Sequence, residues 1–218
     1  MRCIKTIPLV LCLISAGVWA ADTGNAEVDK AYKEGKFEVD RGDPVQAMPK
    51  LKTAADGGHG EAQALYGFLL DQADDDAEAQ KYYKKSADQG SPDGMFGLAN
   101  FHVSGDGGTE INIAKARALY EKAANAGHRQ SILVMFLAYT RGGLNLKPED
   151  MQSKDALHWI KTAANTAGMD QAMERMAIVY AKGEFGIPVN PQESEAWLIK
   201  AMEAKGIDPN AKKKRRRQ

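Results

Sequence analysis

Four histidines and two clusters of carboxylates are the residues whose types could do chemistry in this 218-residue chain. A zinc or copper centre needs histidine, cysteine or carboxylate ligands at close, recurrent spacing. His59, His102, His128 and His158 each stand apart from one another and from any cysteine, so no metal and no other cofactor is expected. Asp74-Asp75-Asp76 lacks the remainder of a calcium loop. That run and Glu149-Asp150 suit loops or helix starts, where a carboxylate faces the positive end of the helix dipole. Gly105-Asp106-Gly107-Gly108 is glycine-rich but follows a helical segment, and neither a nucleophile elbow nor a dinucleotide fingerprint occurs. With no catalytic residue identified, the chain is read as a protein that is not an enzyme and acts by binding.

The elements that would present a binding surface are repeated. A small-residue motif reads Ala54-Ala55-Asp56-Gly57-Gly58-His59, then Ser86-Ala87-Asp88-Gln89-Gly90, then Ala123-Ala124-Asn125-Ala126-Gly127-His128. It continues as Ala163-Ala164-Asn165-Thr166-Ala167-Gly168 and, more loosely, as Ala201-Met202-Glu203-Ala204-Lys205-Gly206. A period of about 37 residues means stacked helical hairpins, none able to bury its apolar face alone. After each motif a first helix is expected, containing Leu65 to Leu70, Gly97 to His102, Val134 to Tyr139 and Arg175 to Tyr180 in turn. Gly105, Gly142 and Gly183 follow the last three of these stretches and are expected to cap them.

A second helix leads into the next motif. Ala79-Gln80-Lys81-Tyr82-Tyr83, Ala116-Arg117-Ala118-Leu119-Tyr120 and Ala156-Leu157-His158-Trp159-Ile160 share one pattern, with Ser194-Glu195-Ala196-Trp197-Leu198 a weaker copy. Alanine followed three and four residues later by a bulky pair sets a narrow and a wide contact on one helical face. The stretch from Glu27 to Gly57 fits a further, more polar pair, which makes five pairs from about Glu27 to Gly206.

The order Ala-Ala-x-x-Gly-His, Leu-Gly-x-x-Tyr-x-x-Gly, Ala-x-x-Trp-Tyr-x-Lys-Ala-Ala resembles the SEL-like repeat family, the glycine-punctuated relative of tetratricopeptide repeats. Leu70 and His102 stand where that family has tyrosine, and Met202 where it has alanine. The resemblance implies an all-α fold, a right-handed α-solenoid of about five helix-turn-helix repeats in a TPR-like superhelix. It implies that His59 and His128 serve structurally where first helices begin. It also implies an interaction scaffold whose first helices line a concave groove. The groove-facing positions would be Ala64, Phe68, Asp71, Phe96, Asn100, Leu133, Leu137, Arg141, Glu174 and Ile178. Such a mixed, largely apolar set suits a peptide or helix.

The two ends differ from the body. Residues 1–20 carry Arg2 and Lys5 ahead of an apolar run from Ile7 to Val18 and close on Val18-Trp19-Ala20, the plan of a secretory signal peptide. Leu11 is too bulky for a lipoprotein signal at Cys12, so the mature chain is expected to begin near Ala21. Cys3 and Cys12 both lie in the leader, so the exported protein would have no disulfide. The formal charge is zero, yet two of the 29 basic residues lie in the leader and six in Lys212-Lys213-Lys214-Arg215-Arg216-Arg217. That leaves 21 basic groups against 29 acidic ones in the body. The expected organisation is a leader over 1–20, a solenoid over 21–206 and a disordered basic tail over 207–218. The tail could associate with an anionic membrane surface. Altogether the sequence points to an exported, periplasmic scaffold in a bacterial envelope that binds an unidentified protein partner and no nucleic acid. The alternatives are a secreted host-directed effector or a cell-envelope hydrolase.

Overall fold

The computed structural model describes residues 18–209, with side chains from residue 26 onward. The expected leader, apart from its last three residues, and the run Lys212 to Arg217 lie outside the described residues. Ten α-helices form among the described residues, and they pair as the repeat predicts. The pairs are α1 (Val18–Asp40) with α2 (Pro44–Asp56), α3 (Gly60–Asp71) with α4 (Asp76–Asp88), and α5 (Pro92–Ser104) with α6 (Ile113–Asn125). They continue with α7 (Arg129–Arg141) and α8 (Lys154–Asn165), then α9 (Asp170–Lys182) and α10 (Pro191–Ala204). Each helix packs on its neighbours in the chain, and α3 also packs directly on α5. This is the all-α solenoid expected from the period.

The local causes are readable residue by residue. His59 and His128 begin α3 and α7 as N-caps, their rings accepting the backbone N–H of Ala62 and Ser131. Ser91, Asn112, Ser153 and Asn190 do the same for α5, α6, α8 and α10. Each such cap satisfies an amide that the first helical turn leaves without a partner. Gly105 and Gly183 close α5 and α9 at φ 86° and 72° in the left-handed region, as a C-capping glycine should. Gly142 also ends its helix, but at φ 89° and ψ 160° it turns the chain into an extended loop instead of a left-handed cap.

The second-helix pattern is the core. Ala79, Ala116 and Ala156 are fully buried, and the bulky residues Tyr82, Tyr83, Tyr120, Trp159 and Ile160 that follow them are buried. Trp197 is buried in the weaker copy, while Leu198 beside it is 42% exposed. Two apolar clusters result. One lies around Leu51, Tyr66, Tyr82, Tyr83 and Phe101, the other around Tyr120, Ile132, Met135, Trp159 and Met176. The glycine-rich stretch after α5 is structural: Gly107 lies against the carbonyl of Asp76, and Gln80 Nε2 donates to Thr109 Oγ1 at 2.7 Å. His102 is buried, with Nδ1 3.1 Å from the carbonyl of Glu110. His158 is exposed and meets Trp159 edge-on.

Candidate functional site

Ala64, Phe68 and Asp71 recur at intervals of four and three along α3, and Phe96 and Asn100 at four along α5, so each set shares one helical face. These five residues line a single cleft of about 510 Å³. Its first wall adds Tyr32 and Lys36 from α1, and its last adds His128 and Gln130 from α7. Tyr83 of α4 also lines it, wedged where Gly67 and Gly97 leave room. A Cβ on Gly97 would come within 2.3 Å of the Tyr83 ring, and one on Gly67 within 3.2 Å. The two glycines therefore allow a second-helix tyrosine to reach the groove lined by first helices.

Electrostatics divide the cleft. Tyr83 hydrogen-bonds the Asp71 carboxylate; burial first, and then the charge of Asp71, push the tyrosine hydroxyl far up. Asp71 itself is held above the usual carboxylate range, mainly by burial and then by the charges of Asp76 and Asp106. Asp93 is held below that range, chiefly by its hydrogen bond with His128. Asn100 accepts the Tyr120 hydroxyl at 2.6 Å, and burial pushes that hydroxyl to about 12. Lys36, the lysine of the cleft, is already paired with Asp40 at 3.0 Å. Among the described residues, no group of three or more His, Cys, Asp or Glu is arranged to hold a metal ion.

The remaining five expected positions are dispersed. Arg141, Glu174 and Ile178 line a second depression of about 500 Å³ between α7 and α9, where Lys205 pairs with Asp170 and Glu174. Leu133 lines a smaller one of about 250 Å³ with Met169 and Phe136. Leu137 lines none of the three; it is half-buried against the C-terminal apolar cluster. The sequence reading missed Tyr32, Lys36, Glu61, Tyr83, Asp93 and His128 as cleft residues. One signal was present. Asp29, Tyr32 and His59 recur as Asp93, Phe96 and His128, and in both sets the histidine ring contacts the aromatic and approaches the carboxylate.

The family pattern described as Sel1 repeat matches residues 61–91, 92–128 and 170–205, which are the pairs α3–α4, α5–α6 and α9–α10. The chain is a Sel1 repeat protein. This Sel1 repeat chain is 36% identical over 111 residues to rat eukaryotic elongation factor 2 kinase, covering 44% of this chain and 15% of the kinase. It is 28% identical over 145 residues to the exopolysaccharide production negative regulator of Rhizobium meliloti strain 1021, covering 62% of this chain and 53% of the regulator. It thus spans a small fraction of the one relative and about half of the other. The crystal structure of a Sel1 repeat protein from Oxalobacter formigenes superposes with a TM-score of 0.60 at 24% identity, covering 84% of this chain and 72% of that one. That likeness is one of fold.

Proposed function

We propose that this Sel1 repeat protein is an exported interaction scaffold that binds a segment of another protein in the cleft between α3 and α5. One observation carries the reading. Phe68 is 44% exposed within a recess built on two helices that pack directly on each other. A large apolar ring left in water between rigid walls, with a few polar groups converging beside it, is what a docking site needs. A scaffold role also accords with the name of the Rhizobium relative, a negative regulator, because regulation can be exerted by binding alone. Export to the periplasm rests on the leader pattern in residues 1–20, and attachment to an anionic surface on Lys212 to Arg217.

A photo-crosslinking residue placed at position 68 of the full chain in cells tests the cleft, with the same residue at position 84 on α4 as the control. A discrete protein adduct formed from position 68 and not from 84 is the expected result. Equal adducts from both positions, or none from 68, would overturn the reading. Fractionation tests the location: protein kept in the cytoplasm with residues 1–20 still attached would refute export.

A further inference from the structure

The cleft carries an asymmetry of charge that identifies its occupant. Asp71 reaches it from the end of α3, backed by Asp74, Asp76 and, across the packed loop, Asp106. Among the described residues, no lysine or arginine forms an ion pair with any of these four carboxylates. Of the other ionised groups of the cleft, Lys36 is paired with Asp40 and Asp93 accepts from His128, while Glu61 adds a further carboxylate beside the His59 ring. Beside the unneutralised carboxylate stand two aromatic rings, Phe68 exposed and Phe96 half-buried.

We infer that the cleft recognises a cationic protein segment, seating an arginine against Phe68 and Phe96 with its guanidinium on Asp71. The inference rests on the cleft being the binding surface and adds the chemistry of what fills it. A guanidinium is flat and weakly hydrated, so it stacks on an aromatic face while its N–H fork meets a carboxylate. Asp71 is partly desolvated, which strengthens a charged hydrogen bond made there. The carboxylates behind it draw a cation in over a longer range and repel anionic partners such as nucleic acid or acidic lipid from this face. The stem of the arginine, or an apolar neighbour in the same segment, covers the ring area that Phe68 leaves in water.

The test is fluorescence polarisation with short labelled peptides on the full chain. It is repeated on the full chain with Lys212 to Arg217 replaced by serine, so that the protein's own basic run cannot mask the cleft. The probes are a leucine-arginine peptide and its copies with citrulline or glutamate in place of arginine. The arginine peptide is expected to bind about tenfold or more tightly than the citrulline copy, a difference worth about 1.4 kcal/mol. Asp71→Asn should remove most of that preference, and Phe68→Ser should weaken the arginine and citrulline peptides alike. Asp71→Asn keeps the side-chain volume and an oxygen that can accept the Tyr83 hydroxyl, so a loss of binding there would not reflect unfolding. Tighter binding in the serine variant also supports the inference, because it shows a cationic segment of this chain competing for the site. If all three peptides bind equally and Phe68→Ser weakens them equally, the cleft is the binding surface but arginine recognition is refuted. Arginine binding unchanged by both Asp71→Asn and Phe68→Ser would place it elsewhere on the acidic surface and refute the inference. Absence of binding by any peptide in either form would also refute it, while crosslinking from position 68 still decides the cleft itself.

Discussion

His128 Nε2 stands 3.1 Å from Asp93 Oδ1 while Nδ1 of the same ring accepts the backbone N–H of Ser131 at 3.2 Å. With Nδ1 accepting, the ring proton belongs on Nε2 and is donated to the carboxylate. One side chain thereby starts α7 and ties it to α5. His59 repeats the arrangement between α3 and α1, more loosely, at 3.7 Å from Asp29. This linkage explains why a turn position in a repeat carries histidine where serine, as at Ser91, would cap as well.

His128→Ala should therefore cost more than an ordinary surface change. Loss of an N-cap costs about 1 kcal/mol, and the hydrogen bond to Asp93 goes with it. His128→Asn retains a capping oxygen and should recover part of the loss. Urea unfolding of the two variants checks this, and equal destabilisation would mean that the cap contributes nothing.

Gly97 makes a second prediction. Its missing side chain is where the Tyr83 ring sits, so Gly97→Ala forces the ring or α5 to move and should cost about 1–3 kcal/mol. Helix propensity favours alanine and works the other way, by just under 1 kcal/mol. Overpacking wins in this account. Adding Tyr83→Leu shortens the obstructing side chain, so Gly97→Ala should be less costly in that background. A double-mutant cycle read by thermal unfolding shows the coupling; strict additivity would refute it.

The alkaline side of the stability curve belongs to tyrosines. Burial pushes Tyr120 to about 12 from 10.0, and burial together with Asp56, which accepts the hydroxyl at 2.6 Å, pushes Tyr82 to about 12. A raised acid binds its proton more tightly folded than unfolded, so stability is whole below pH 10 and declines as pH rises towards 12. Tyr120→Phe removes one of these groups and should flatten the decline, at the cost of the hydrogen bond to Asn100 at neutral pH. Unfolding midpoints between pH 8 and 11 measure it, and parallel curves for the two proteins would contradict it.

The parts of the fold that were legible in the sequence are those governed by local rules. Alanine with a bulky pair three and four residues on identified the buried faces of α4, α6 and α8, and glycine after a helical run identified the ends of α5, α7 and α9. Position along a face was less legible. Phe68 is followed by Leu69 and Leu70 in α3, and Ile132 to Leu137 are apolar without a break in α7, so no period marks which residues turn to the groove; Phe68 is exposed, whereas Leu137 is half-buried against the core. The contribution of α1 was hidden for another reason. Gly35 sits against Leu51 in a close helix contact, a tertiary relation with no counterpart in the repeat motif, and Tyr32 and Lys36 take their places in the cleft from it.

Two carboxylates of one cleft should respond to acid in opposite senses. The folded Asp93 is held below the ordinary value of 3.8 by His128, so its contribution is present above that value and disappears as pH falls through its own lower one. Asp71 is held above 3.8 by burial and by neighbouring carboxylates, so its contribution is present below 3.8 and lost as pH rises through its higher value. Asp93→Asn should consequently be less stable than the parent at pH 7 and converge with it in acid. Asp71→Asn should be more stable than the parent at pH 7 and lose that advantage in acid, since the parent is then neutral at the same place. Chemical denaturation of the three proteins across pH 3 to 7 reads both differences together. If Asp71→Asn is destabilised at neutral pH, the carboxylate is contributing to the fold as an ion, and the reason for a cation to be drawn to it weakens accordingly.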